Sequence, residues 1–558
     1  MNLDDQGARV SAIDPTRSFC VSAPAGSGKT ELLTQRLLAL LTRVERPEQV
    51  LAITFTRKAA SEMSLRITEK LEDARQDNLV KEEHEKTTRR LAKELLDHAN
   101  LKQWNLAQIT LNIRTIDSLC HELVRQMPIL SGTPALVEPL DDATQLYRRA
   151  VDQFLREILQ YECSHSVKEI LLHYENNWTK VRELFVALLG RRGDWASNVG
   201  QHHDPEVAER QLLNTIRALI EERLQILSER LSTYLTSLIG LTSEARLFLK
   251  KEPLILQTSS ECLSDWRELT HFFLTKDNRW RKPNGISVRL GFQKGSPNKA
   301  IFIDILTQIS TDETLRALLI EIRELPELTN EDAGWRLMIA LSSVLPRLQA
   351  HLLLEFQRSG AVDHTHIALA ATRALGDDEA PTQLSQRLDY QIEHILVDEF
   401  QDTSASQTEL LRRLTRDWSE HNATGAAPRT LFVVGDAMQS IYGFRYADVG
   451  LFLDARDRGL SNIALEPLTL SRNFRSPPSV VDWVNETFAT LLGHEDEPNI
   501  GAVSHTVAES ALSSNDPEEG VTLRIYPETN HYAESHDIAR EIADIQKNNP
   551  EASIAVLV

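Results

Sequence analysis

The sequence predicts an α/β protein, a parallel sheet flanked by helices and interrupted by a long helical insertion. Three observations predict it. A short apolar strand at 18–22 (SFCVS) runs through a glycine-rich loop into a helix, and a second apolar strand, VLAITF (50–55), follows. The same rhythm returns after Ile392, where HILVDEF and TLFVVGD are apolar runs that end on acidic residues. Between them, residues 136–350 carry helical periodicity with few strand signals. Strand, helix and strand in alternation imply parallel pairing with crossover helices on the sheet faces.

Taken in order, 31–41 is a helix with an apolar stripe at Leu32, Leu33, Leu37, Leu38 and Leu41. The strand 50–55 is apolar throughout, as a strand covered on both faces should be. The next helix carries Ala59, Ala60, Met63 and Ile67, and residues 70–100 are charged and helical. Within the insertion, 144–159 and 214–239 read as helices, and 278–298, rich in Gly, Pro, Lys and Arg, reads as a loop. A second loop lies at 376–381. Finally, VTLRIYP (521–527), a helix at 533–547 and SIAVLV (553–558) read as strand, helix and strand.

The 558 residues suggest several domains, and 41% hydrophobic residues suffice for more than one core. The start, MNLDDQGARV, has neither the basic nor the apolar region of a secretory signal, and no apolar run is long enough to cross a bilayer. Cys20, Cys120, Cys163 and Cys262 are far apart with no CxxC pair, which gives a zinc or iron–sulfur site no support and suits a reducing, cytoplasmic setting. A net charge of -20 argues against a passive coat for nucleic acid, but not against a local track of donors and aromatic rings.

APAGSGKT (23–30) stands between a strand and a helix, the context of a phosphate-binding loop. Its residues Ala23, Pro24, Ala25, Gly26, Ser27, Gly28, Lys29 and Thr30 form the candidate cradle. Backbone N–H groups would hold phosphate oxygens at a helix N-terminus, Lys29 would reach the β- and γ-phosphates, and the Thr30 hydroxyl would ligate Mg²⁺. Ala23 stands where the strict pattern has glycine. In ILVDEFQDT (395–403), Asp398 and Glu399 emerge from an apolar strand. Asp398 would hold the metal and Glu399 would take a proton from the attacking water. An exposed acidic turn is the alternative, and the phosphate loop tells against it.

These segments, with ITFTRKAASEM (53–63), RTIDSLC (114–120), VVGDAMQSIYGFR (433–445) and LSRNFRS (470–476), resemble the UvrD/Rep-type superfamily 1 helicases. The long insertion, with VDHTHIALAATRAL (362–375) ahead of DEFQDT, resembles the RecB/AddA-like branch. The resemblance is clear over about 1–135 and 390–485. Asp117 stands where the family often has histidine.

The resemblance implies a RecA-like domain 1A (1–135 and 351–475), a helical insertion 1B (136–350) and the start of a second RecA-like domain 2A (476–558). It implies ATP and Mg²⁺ as cofactors, with Gln6 reading adenine and Phe474 stacking on it. Gln439 would sense the γ-phosphate, and Arg475 would act as an arginine finger in cis. For DNA, Phe55, Tyr442 and Phe444 would stack on bases, Thr54, Thr56 and Arg57 would meet the backbone, and Arg445 would tie the two sites. Core packing is the alternative for each aromatic. The implied protein is an ATP-dependent 3′-to-5′ DNA helicase or translocase in repair and recombination, incomplete in this chain. It would act on single-stranded or partly duplex DNA, without a membrane and with a partner that is a nuclease or helicase subunit. The alternative is a truncated module that binds ATP and single-stranded DNA with little turnover of its own. A P-loop NTPase of another kind is a third reading, against which TFTRKAA and QSIYGF speak.

Overall fold

The computed structural model describes residues 5–76, 83–104, 111–131, 133, 139–158, 164–199, 205–325, 333–376, 380–443, 446–493, 496, 498, 501–513, 520–526, 531–551 and 553–557. The chain folds as two compact units. One comprises Met1–Ser118, Ser385–Ser404 and Leu411–Val558, and the other Leu119–Leu384 and Ala405–Leu410.

The first unit is built on a six-stranded sheet. Its members include β1 (Phe19–Ser22), β2 (Val50–Thr54) and β3 (Ile113–Thr115). Across the sheet the order is β3, β2, His394–Val397, Thr430–Gly435, β1 and Glu466–Thr469, and every pairing is parallel. β2 and the two strands at 394–397 and 430–435 are buried at every residue, because helices cover both faces of such a sheet. β1 therefore lies beside Thr430–Gly435, with Ser22 opposite Gly435, and β2 lies beside His394–Val397. This pairing brings the ends of four distant segments to one edge.

Helix α1 (Gln6–Ile13) precedes the sheet, α2 (Lys29–Leu41) follows β1, and α3 (Arg57–Gln76) follows β2. Leu32, Leu33, Leu37 and Leu38 of α2 enter one core with Phe19, Val21, Ile67, Leu396 and Phe432. Arg36 lies wholly buried on the same helix. Its guanidinium stacks over Phe19 and Phe432, 5.6 and 5.3 Å from the ring centroids, and donates to the carbonyls of Ala12 and Arg17. Burial lowers its pKa to about 9, and the fan of carbonyl contacts fixes the segment after α1 to the sheet.

The second unit is helical. Its largest cluster joins Ile216, Ile220, Leu224 and Leu227 to Trp266, Phe272, Phe302 and Trp335. The expected helix at 144–159 is Thr144–Glu157. The expected helix at 214–239 is two, Pro205–Arg230 and Ser232–Phe248, parted at Leu231. The basic stretch 278–298 is short 3₁₀ turns and loop that lead into Pro297–Ile309. The helix Ala333–Ser359 corrects one expectation, since by length and composition alone Gly334–Ser359 could cross a membrane. Within its unit it packs against Thr144–Glu157 and Ser164–His173.

Two strand expectations fail. Residues 521–526 and 553–557 join no ladder, although the helix between them is present as His531–Asn548. A β-pattern is not a strand until its N–H and C=O groups find a partner edge. Cys20, Cys120 and Cys262 form no disulfide, and Cys163 lies outside the described residues.

Candidate nucleotide and nucleic-acid site

The loop after β1 turns on two glycines. Gly26 (φ 78°) and Gly28 (φ 77°) both adopt the left-handed region, and Gly28 caps the N-terminus of α2. A β-carbon on Gly26 would lie 2.4 Å from the Asn473 side-chain oxygen, so glycine is required there twice over. Ala23 donates its N–H to the Gly435 carbonyl at 2.8 Å, and α2 begins at Lys29. Thr30 is exposed in its first turn. The expected loop, Ala23 through Thr30, is thus a turn of backbone at a helix N-terminus, which favours an anion.

Lys29 reaches across to the acidic strand end. Its Nζ lies 3.3 Å from Asp398 Oδ1 and contacts Glu399 Oε1. Burial would lower the Lys29 pKa, but the attraction of Asp398 and Glu399 outweighs it and holds the ammonium above the usual lysine value. Burial raises the Asp398 carboxyl, against the pull of Lys29. Asp398 is set by its N–H to the Ile53 carbonyl at 2.9 Å, so β2 positions it. Glu399 has φ 54°, a strained left-handed conformation for a residue with a β-carbon. The Thr30 hydroxyl and the two carboxylates are hard oxygen donors at the loop and the acidic strand end. They fit Mg²⁺, which is usually held by one or two carboxylates together with substrate phosphates.

Residues not singled out in the sequence hold this arrangement. Gln401 is buried. Its side chain donates to Glu399 Oε2 at 2.8 Å and accepts the Asp436 N–H at 3.0 Å, and its backbone carbonyl accepts the Ser440 hydroxyl. Asp402 accepts the N–H of Ile441, and burial followed by repulsion from Glu399 pushes its pKa up to about 6. Burial likewise raises Asp436, which accepts from Gln439 and from the Ala25 N–H. Asn473 donates to the Ala25 carbonyl and accepts the N–H groups of Arg475 and Ser476. Asp436, Gln401 and Asn473 stand inside the motifs quoted above, where a polar residue at a strand end is the available signal. A cavity of about 290 Å³ adjoins the loop, lined by Pro24, Ala25, Asp436, Gln439, Asn473 and Ser476 among others.

The remaining expected residues divide. Gln6 is exposed at the start of α1. Phe474 is 52% exposed, its N–H bound to the Gly26 carbonyl at 2.8 Å, and Arg475 beside it is exposed. Gln439 and Glu399 are joined through Asp436 and Gln401. Of the residues expected to meet nucleic acid, Phe55 and Tyr442 come together, ring centroids 4.5 Å apart and planes at 37°. Thr56 and Arg57 are exposed beside them. Thr54 is buried and its hydroxyl donates to the Thr56 carbonyl at 3.1 Å, so it shapes the turn. Phe444 and Arg445 lie outside the described residues.

Residues 3–458 match the model of the UvrD/REP helicase N-terminal domain. The chain belongs to the UvrD/REP helicase family. It is 25% identical over 513 residues to an ATP-dependent helicase/nuclease subunit of Lactobacillus helveticus, covering 86% of this chain and 39% of that protein. It is 27% identical over 555 residues to the subunit of the same name from Bacillus pumilus (92% and 41%). It is 25% identical over 561 residues to the exonuclease/helicase subunit RexA of Lactococcus lactis (93% and 42%). The chain thus spans about two fifths of the length of these relatives. The resemblance to the RecB/AddA-like branch agrees with their names.

Proposed function

We propose that this chain binds MgATP at the 23–30 loop and single-stranded DNA at the Phe55–Tyr442 pair, as the ATP-hydrolysing core of a 3′-to-5′ DNA helicase or translocase in repair and recombination. The observation that carries the reading is the join between Lys29, Asp398 and Glu399 on one side and Ser440 and Ile441 on the other, through Gln401 and Asp402. A nucleotide site and an aromatic pair on one rigid link are what a DNA-coupled ATPase needs. In this reading Lys29 leaves the carboxylates for the γ-phosphate, Thr30 and Asp398 hold Mg²⁺, and Glu399 accepts the proton of the attacking water. Arg475 places positive charge on the γ-phosphate, and Gln439 orients the water. Mg²⁺, when bound, neutralises charge developing on the phosphate oxygens.

The names of the relatives, helicase/nuclease subunits, support a DNA substrate and a partner subunit. ATP hydrolysis measured with and without single-stranded DNA, using Lys29→Ala as the blank, tests the reading. Turnover that rises with DNA and vanishes in Lys29→Ala is expected. Turnover that is the same in Lys29→Ala would overturn it.

A further inference from the structure

We propose that Arg9 is a positioning residue of the nucleotide site, one that fixes Phe474 as the stacking platform for the nucleobase. The inference rests on the reading that the 23–30 loop binds ATP.

Arg9 lies on α1 and has four anchors. Its Nε and Nη2 donate to the two oxygens of Asp5, each at 2.8 Å. Nη2 also donates to the Ser27 carbonyl within the phosphate loop, at 2.8 Å. The guanidinium carbon lies over the Phe474 ring, 5.1 Å from its centroid. Arg9 Nη1 and the Phe474 ring edge close together on Gly28, 3.5 and 3.7 Å from the position a β-carbon there would take. Asp5 is buried and accepts the N–H groups of Ser471 (2.9 Å) and Arg472 (3.0 Å). The backbone ahead of Phe474 and the ring of Phe474 are therefore held by one carboxylate–guanidinium pair.

Only arginine can make these contacts together. A bidentate fork to Asp5 and a planar π-face toward Phe474 are guanidinium properties, and a lysine ammonium offers neither. Phe474 has one face on Arg9 and is half exposed, so an open part of the ring is offered to a ligand above the loop. Phosphates held at 26–30 place a nucleoside on this side, because the Phe474 N–H is bound to the Gly26 carbonyl. The ligand class is a nucleoside triphosphate with a planar base. Arg9 acts on the base end, through Phe474, and not on the phosphates.

The test compares two ligands of the full chain: ATPγS, which has a base, and inorganic tripolyphosphate, which has none. Affinities are measured by calorimetry for the wild type, Arg9→Ala, Arg9→Lys, Phe474→Ala and the double variant Arg9→Ala/Phe474→Ala. Arg9→Ala should weaken ATPγS about tenfold, the scale of a lost cation–π brace, and leave tripolyphosphate within about twofold. Arg9→Lys should weaken ATPγS about as much, because an ammonium supplies neither the fork nor the planar face. The double variant should bind ATPγS no more weakly than Phe474→Ala alone, because Arg9 acts through that ring. Equal loss of both ligands in Arg9→Ala and Arg9→Lys would overturn the proposal and make Arg9 a support of the phosphate loop. Additive losses in the double variant would overturn it too. A wild type that binds neither ligand would overturn the nucleotide reading on which the proposal stands, an outcome distinct from normal wild-type binding with an indifferent Arg9→Ala.

Discussion

Removing the Tyr442 ring should weaken single-stranded DNA binding and leave nucleotide binding alone. Tyr442 and Phe55 touch at 4.5 Å between centroids. A ring pair of this kind is worth about 0.5–1.5 kcal/mol beyond area burial, and a base stacked on an aromatic about 1–3 kcal/mol. A base that enters between the rings forfeits their mutual contact, so the net cost of Tyr442→Ala is about 0.5–2 kcal/mol, or roughly two- to thirtyfold in Kd. A base that stacks on an outer face keeps the pair, and the full stacking energy is then lost. Fluorescence anisotropy of a labelled oligo-dT, for the wild type, Phe55→Ala, Tyr442→Ala and the double variant, separates the two. Losses that add mean outer-face stacking, and a double variant close to either single one means insertion. ATPγS affinity in the same variants is the control. Tyr442→Ala with unaltered oligo-dT binding, or with an equal loss of ATPγS, would refute the reasoning.

Two further predictions concern stability. Asp363, at the N-terminus of His364–Leu375, accepts the His366 N–H at 2.7 Å and pairs with the fully buried Arg192, Nη1 to Oδ2 at 2.7 Å. Asp363→Asn keeps a cap acceptor and strands the guanidinium, so urea denaturation of the helical unit should show a loss of about 3–5 kcal/mol; a loss under about 1 kcal/mol would show that the pair is dispensable. Burial lowers His394 to about 3 and His366 to about 4, both below the ordinary histidine value. The folded state thus keeps them neutral, and their stabilising contribution is complete above the unfolded pKa and lost as pH falls from there through the folded values. At pH 5 each should cost about 2 kcal/mol relative to pH 7, and His394→Gln should flatten the dependence in the sheet unit. Denaturation midpoints that do not change from pH 7 to pH 5 would count against this.

What is legible in the sequence is local. A strand, a glycine turn and a helix start are encoded within 18–41, and the structure returns them almost residue for residue. The acidic strand end at Asp398 is legible for the same reason. The break at Leu231 is not, because Ile216, Ile220, Leu224, Leu227 and Leu231 continue one apolar stripe and no Gly or Pro marks the turn. Residues 521–526 and 553–557 have strand composition, and strand formation depends on a neighbour that composition does not reveal. Asp5 and Arg9 carry no local signal beside Gln6, because their partners, Ser471, Arg472 and Phe474, lie at the far end of the sequence.

The same distance in sequence explains why Gln401 and Asp402 read as filler in DEFQD. Their chemistry is defined by Asp436, Ser440 and Ile441, which only the parallel pairing of 394–397 with 430–435 brings alongside. Gln401 has no titratable group to offer phosphoryl transfer, yet it holds Glu399 on its amide N–H and Asp436 on its side-chain carbonyl. In the proposed reading, a displacement of Glu399 on nucleotide binding would pull on the segment that carries Tyr442, and a displacement of Tyr442 by a base would pull back on Glu399. Such coupling is reciprocal by thermodynamic necessity. The hydrogen bonds of Gln401 to Glu399, Asp436 and Ser440 are the path along which the proposed coupling would run.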